Sequence, residues 1–407
     1  MHLRASTIYY ALFIGAFFAT LGFFNYHQML TEPMIKAIFY GLSALAILLA
    51  LTDRNVRVRD TSAPRLSYSI LMLMLCVSPV MAYIFHGQGI MPSVITSLAI
   101  TFSYAWFYVL LKFRIPTDRV IKVLFIACAL AIPVYALNAM AFPSAIFGEA
   151  PEEDITRGIV RITVPFIITF VLLLFYSINK WNKTRRPVWI AVISIISLMI
   201  IMSVIRQIIL VAGLLGVLFI FRSLSWVKKA LGIAVLLAVV FFVLPQIPMY
   251  QAMMELSEKQ FESNEMEEED VRIGSWRYHI YEYQDSPMTM LLGNGMPSVG
   301  NSAWGDKFDY DAETSRYFAA DVGWAGFFYH FGAIATAALA MLFWNAFRHK
   351  KSDEKQYLNY WLAFIAITAV ASGPILYFYQ IFEVVTGLYL VYASEHEDNS
   401  PYHTQLQ

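Results

Sequence analysis

Apolar segments long enough to cross a bilayer constrain this chain more than any other feature. About twelve can be marked, each near the roughly 17 to 25 residues that a membrane span needs. They cover 8–24, 34–51, 66–85, 92–111, 120–141, 162–179, 187–204, 206–222, 229–246, 321–345, 356–372 and 374–392. Lipid offers backbone groups no hydrogen-bond partner, so repeated spans of this kind fold as helices that satisfy themselves. The expected fold class is therefore all-α, a polytopic membrane protein of about twelve transmembrane helices. Composition agrees: 58% of the 407 residues are hydrophobic and 14% are charged, against roughly half and about a quarter in soluble domains. Formal net charge is zero, so no global basic field recruits nucleic acid. Cys76 and Cys128 fall inside apolar runs and read as small buried hydrophobes.

Sidedness follows from Lys and Arg, which concentrate in cytoplasmic loops. Arg54, Arg57, Arg59 and Arg65 follow the second span; Lys112, Arg114, Arg119 and Lys122 surround the turn after the fourth; Lys180, Lys183, Arg185 and Arg186 follow the sixth. Arg222, Lys228 and Lys229 follow the eighth, and Arg348, Lys350, Lys351 and Lys355 the tenth. Every second loop is basic, and the loops between them are short, apolar or acidic, as in GEAPEED at 148–154. Both termini are then expected in the cytoplasm. The first span has no small-residue cleavage site and reads as a retained helix.

One connection is out of scale. Residues 246–320, on the outer side, include the acidic run EMEEED at 265–270, and a structureless loop of that length is unusual. Arg272, Trp276, His279 and Tyr283 recur at the spacing of one helix face between Glu267 and Tyr283. That pattern suits an interfacial amphipathic helix or a cap helix that uses its Arg and His. The chain thus divides into a membrane bundle at 1–245, an external loop with a cap helix at 246–320, further membrane helices at 321–393 and a tail at 394–407.

Cations on the outer side oppose the sidedness rule and invite explanation. Arg206 opens the eighth span in SLMIIMSVIRQIILVAGLLG with almost no polar neighbours, so it must snorkel, pair with an acid or meet an anionic ligand. Arg157 and Arg161 lie beside Glu152, Glu153 and Asp154 and can form a local ion cluster. Arg272 and Arg277 sit on the cap helix. Guanidinium forks match phosphate bidentately and stay charged, so converging outer arginines fit a lipid-linked pyrophosphate.

Residues 295–302, GMPSVGNS, imitate the phosphate-binding loop G-x-x-x-x-G-K-[ST], but Asn301 occupies the lysine position and no strand pattern precedes it. A nucleotide site is excluded. Gly293, Gly295 and Gly300 still permit a tight backbone whose N–H groups can approach an oxygen-rich ligand; the alternative is a turn that returns the cap helix to the membrane. No His/Cys spacing in the outer loop indicates a metal site.

VIRQIILVAG at 204–213, RIGSWRYHIYEYQDSPMTMLLGNGMPSVG at 272–300 and DVGWAGFFYHFG at 321–332 together resemble the bacterial O-antigen ligase and O-antigen polymerase superfamily. In that family an Arg opens a membrane helix before the large periplasmic loop, a second Arg with a nearby Trp precedes a proline and a glycine-rich turn, and the next helix opens with D/E-x-G-x-x-G. The matching residues are Arg206, Arg272 with Trp276, Pro287 with Gly293 and Gly295, and Asp321 with Gly323, Gly326 and Gly332. The resemblance implies an inner-membrane glycosyltransferase without metal or cofactor. Its donor is an undecaprenyl-pyrophosphate-linked oligosaccharide, and the arginines hold the leaving diphosphate; a membrane lipid and a chain-length regulator are the further partners implied. Ligases of the family carry a His before the D/E-x-G helix, whereas SRYFAADVG at 315–323 has none. That shifts the expectation from ligase towards polymerase and makes Asp321 and His279 the candidate bases. Asp321 can equally cap its helix. A lipid-linked glycan flippase is the non-enzymatic competitor, although the paired broken helices of transporters do not show in this sequence. Glu383, His86 and His330 read as interhelical or packed polar residues, and aromatics among acids at 301–318 suit either a sugar platform or a small loop core.

Overall fold

A computed structural model describes the chain except for residues 1, 21–24, 27–28, 53–64, 149–151, 155–158, 162–163, 165, 204, 223–224, 227–243, 247–250, 252–270, 350 and 399–407. Eight helices precede the cap among the described residues: α1 His2–Ala19, α2 Glu32–Thr52, α3 Arg65–His86, α4 Ile90–Phe113, α5 Thr117–Ala141, α6 Ile167–Thr184, α7 Val188–Met202 and α8 Arg206–Arg222. The cap contributes α9 Val271–Arg277, α10 Pro287–Leu292 and α11 Ala303–Ser315; α12 Gly323–Arg348, α13 Tyr357–Thr368 and α14 Phe378–Asp398 complete the bundle. A helix therefore stands at every expected span except the ninth, which lies outside the described residues apart from the short turn Leu244–Gln246. The acidic run at 265–270 and Arg157 also lie outside them. Five helices, α2, α3, α4, α5 and α12, are long and apolar enough to cross a membrane. The protein is a helical, membrane-embedded chain, and its departures from an all-α fold among the described residues are a hairpin of Glu152–Asp154 and Ile159–Arg161 and an isolated bridge between Tyr26 and Phe147.

Basic residues end the helices that carry them to one end of the bundle. α4 stops where Arg114 turns left-handed (φ 50°) and returns its N–H to the Leu110 carbonyl; α6 stops in the same way at Arg185 (φ 54°), bonded back to Trp181. Cations there complement the negative end of the helix dipole. Ser103 Oγ donates to the Phe378 carbonyl at 3.0 Å and Tyr389 OH to that of Ile115, so α14 runs parallel to α4. Tyr392 OH, bonded to the Leu342 carbonyl at 3.2 Å, ties the far end of α12 to the same level. Arg114, Arg185, Arg222 and Arg348 thus close four helices.

α3 packs on α4 and α12, α4 on α2 and α14, and α13 on α6 and α8. One apolar core runs through these contacts, centred on Phe13, Phe17, Trp106, Phe170, Trp361 and Phe382. Glu383 enters this core as the interhelical contact expected: its Oε2 accepts from Thr169 N–H at 2.7 Å and from Thr169 Oγ1 at 2.6 Å. The carboxylate of α14 thereby caps the first turn of α6, whose own N-cap position, Phe166, supplies no side-chain bond. Cys128 is buried as expected, but Cys76 is exposed on the surface of α3; an apolar run marks lipid-facing and core-facing positions alike.

Candidate functional site

The cap is built on helix α9 and its continuation. A single π-helical turn, Tyr278–Glu282, follows Arg277, with Tyr283 N–H bonded to the Tyr278 carbonyl at 3.0 Å. A π turn inserts one residue and often marks functional segments. It also breaks the expected single face: Arg272 is exposed, whereas His279 is fully buried. Trp276 anchors the helix by donating from Nε1 to the Val370 carbonyl at 2.9 Å. Gly274 is required here because a Cβ would lie 2.5 Å from the Tyr317 hydroxyl.

The turn that ends at Asp321 packs against α9, which brings the carboxyl group within electrostatic reach of Arg272. Asp321 ends a short turn, Ala319–Asp321, directly before α12. Burial pushes its carboxyl group up, and the nearby Arg272 guanidinium pulls it partly back down. Asp321 does not cap α12: the N-cap position is Val322, with no side-chain bond. The amides of Gly323 and Trp324 instead donate to the carbonyls of Ser372 (3.1 Å) and Ala369 (3.0 Å). Asp321 stays solvent-accessible and electrostatically coupled to Tyr377, a neighbour to which no sequence spacing pointed.

The other candidate residues are distributed around this pair. Arg206 opens α8, whose opposite end, Arg222, lines a cleft with Gln356 at the start of α13. The two helices pack with Phe219 stacked on Tyr360 at 4.2 Å. They run in opposite directions, so Arg206 lies at the end of the bundle where α13 meets the 369–377 turn and Trp276. Arg277 bonds Glu282 Oε1 from its Nε at 2.6 Å across the π turn. In the hairpin, Arg161 stands opposite Glu152 in register.

The glycine loop serves packing. Helix α12 is broken at Gly332 (φ 78°, ψ 175°), which frees carbonyls from the helical ladder. Asn294 N–H donates to Tyr329 O at 3.0 Å and Gly295 N–H to His330 O at 2.9 Å. A Cβ on Gly293 would lie 2.4 Å from His330 O, and one on Gly332 would lie 2.3 Å from Leu291 O. Further along, Ser298 N–H donates to Gln88 Oε1 and Gly300 N–H to Asp306 Oδ1. The amides that a phosphate cradle would use at Gly293, Gly295, Ser298 and Gly300 are engaged inside the chain. The turn reading of GMPSVGNS holds, and its glycines clamp a helix break.

A buried polar network lies beneath the loop. His86 stacks on Trp304 (centroids 4.0 Å, 1° between planes) and donates from Nε2 to Asn294 Oδ1 at 3.0 Å. Asn294 Nδ2 in turn donates to Gln284 Oε1 at 3.2 Å, and Gln284 to the His279 carbonyl at 3.1 Å. His330, packed as expected, donates from Nδ1 to Gly295 O at 3.0 Å. His279 donates from Nδ1 to Ser275 O at 2.8 Å, which leaves Nε2 as an acceptor with no partner among the described residues. Burial lowers its pKa to about 4, so it is neutral at physiological pH. Its distance from Arg272 along the helix is about 10 Å, so the two cannot grip the same group. Burial raises both the Tyr278 and Tyr283 phenols; Tyr283 and then Asp311 add to the first shift, and Asp311 adds to the second, which reaches about 12. Among the 301–318 aromatics, Trp304 and Phe308 join Tyr329 in a small core while Tyr310 is 68% exposed. Both readings of that stretch thus find residues. No group of three His, Cys, Asp or Glu side chains is placed to hold a metal among the described residues.

Neither a protein-family model nor a curated protein matches the chain.

Proposed function

We propose that this chain is a multi-pass bacterial inner-membrane glycosyltransferase that polymerises undecaprenyl-pyrophosphate-linked oligosaccharide repeats. The coupling of Arg272 to an uncapped, accessible Asp321 carries the reading. It sets a fixed cation within electrostatic reach of a carboxylate with a raised pKa, at the end of the bundle that α8 shares through Arg206. An acceptor sugar hydroxyl attacks the anomeric carbon of the donor. Asp321 accepts the hydroxyl proton, which needs contact at about 3 Å, while the bond to the diphosphate breaks. Arg272 and Arg206 stabilise the charge that develops on the leaving group. His279, buried about 10 Å along the helix, is the weaker candidate for the base. The glycine loop orients α9 and α12 and does not touch the diphosphate.

The test is a set of variants in a host deleted for the activity. Arg206→Ala and Arg272→Ala are expected to insert normally, abolish polymer and leave single repeat units on lipid at the outer face. Units held at the inner face would mean a flippase. Glycan transferred singly to a lipid acceptor, with no polymer in the wild type, would mean a ligase. Arg272→Lys is expected to be severely impaired, because a point charge cannot reproduce the fork. Asp321→Asn is expected to lower the rate by about 10² to 10⁴; full activity there would remove Asp321 as the base.

A further inference from the structure

The opposite, basic end of the bundle contains a cleft that glycosyl transfer does not use. It is an open space of about 300 Å³ between α6, α8 and the turn before α13, lined by Asn182, Lys183, Phe219, Arg222, Asp353 and Gln356. Asp353 accepts from Gln356 Nε2 at 2.7 Å, and Glu354 pairs with Lys183 Nζ at 3.5 Å. Arg222 is exposed and makes no hydrogen bond or ion pair among the described residues. The dipoles of α6 and α8 account for cations in their last turns. They do not account for the face on which Arg222 sits.

That face is apolar and exposed. Leu210, Leu214 and Leu218 are 67%, 56% and 50% exposed, and each is one helical step of four from the next, with Arg222 as the following step. An acyl chain lying along this ladder delivers its headgroup to the cleft mouth. There the Arg222 guanidinium fork matches a phosphodiester, the Lys183–Glu354 ion pair flanks it, and Phe219 walls the inner side. Basic pockets between membrane helices at the positively charged side are suited to anionic headgroups.

We propose that this cleft seats the phosphodiester headgroup of an anionic phospholipid whose chain lies on Leu210, Leu214 and Leu218. The site does not depend on the glycosyltransferase reading. The experiment places the full chain in nanodiscs of phosphatidylcholine with added phosphatidylglycerol, releases it and counts retained lipid by native mass spectrometry. Phosphatidylglycerol is expected to be retained over phosphatidylcholine, and Arg222→Gln to lower its apparent affinity about fivefold. Lys183→Gln is expected to weaken it as well, Arg222→Lys to restore part of it, and Arg348→Gln, an exposed cation on α12 outside the cleft, to leave it unchanged. Size-exclusion profiles separate lost binding from misfolding, and Arg222→Lys keeps the test decisive if Arg222→Gln fails to fold. Equal retention of both lipids, or wild-type retention by Arg222→Gln, would overturn the site. Displacement by excess inorganic phosphate would assign the cleft to small anions and overturn the lipid.

Discussion

Arg272 and Asp321 are 49 positions apart in sequence, and their coupling depends on residues that do no chemistry. Trp276 pins α9 to the 369–377 turn, and carbonyls of that turn cap α12, freeing the Asp321 carboxylate. His279 carries the clearest pH signature. Its folded pKa, about 4, lies below the usual histidine value of about 6.5, so the unfolded cap binds more protons between those values. The stability from neutral His279 is complete above pH about 6.5 and is lost as pH falls towards 4, a loss of about 3 kcal/mol. Hydrogen exchange of cap amides is expected to accelerate over that window, and His279→Gln to remove the dependence; an unchanged acid profile in that variant would assign the effect elsewhere. Gly293 and Gly300 offer a paired test. Both have positive φ, but only at Gly293 would a Cβ collide with backbone. Gly300→Ala is expected to cost about 1 kcal/mol and Gly293→Ala about 2 kcal/mol or more, seen as a clearly lower melting temperature in detergent.

At the scale of elements, helices were legible and their irregularities were not. Hydropathy marks where a helix crosses lipid because burial of the backbone leaves no other choice. The π turn at Tyr278–Glu282 and the break at Gly332 answer to contacts made elsewhere, the second to Asn294 and Gly295. No local propensity announces either. The cap of α6 is equally non-local, since its acceptor comes from α14. Glu383→Leu strands the Thr169 N–H and hydroxyl in the core and is expected to cost about 3 kcal/mol, whereas Glu383→Gln keeps an acceptor and loses less. Exchange of the Thr169 and Phe170 amides reads the difference; equal protection in the two variants would show that the cap does not hold α6.

At the scale of the whole molecule, alternating basic loops predict a sidedness, and four arginine-terminated helix ends group in space. Arg114, Arg185, Arg222 and Arg348 close helices directed to one end, and the cap with Tyr310 lies at the other. In a variant lacking Cys76 and Cys128, a membrane-impermeant maleimide is expected to label Tyr310→Cys in spheroplasts and Arg348→Cys only in inverted vesicles. Labelling of both from one side would overturn the topology. The sequence by itself determined the helical membrane fold, the position of most helices, the basic end and the residues worth suspecting, because lipid solvation and charge act on each segment separately. Only the tertiary structure decided which suspects meet. It brought Asp321 to Arg272, gave Arg277 to Glu282, buried His279, and turned a phosphate-like glycine loop into the clamp on a broken helix. Those outcomes rest on close approach between distant segments, which no single segment encodes.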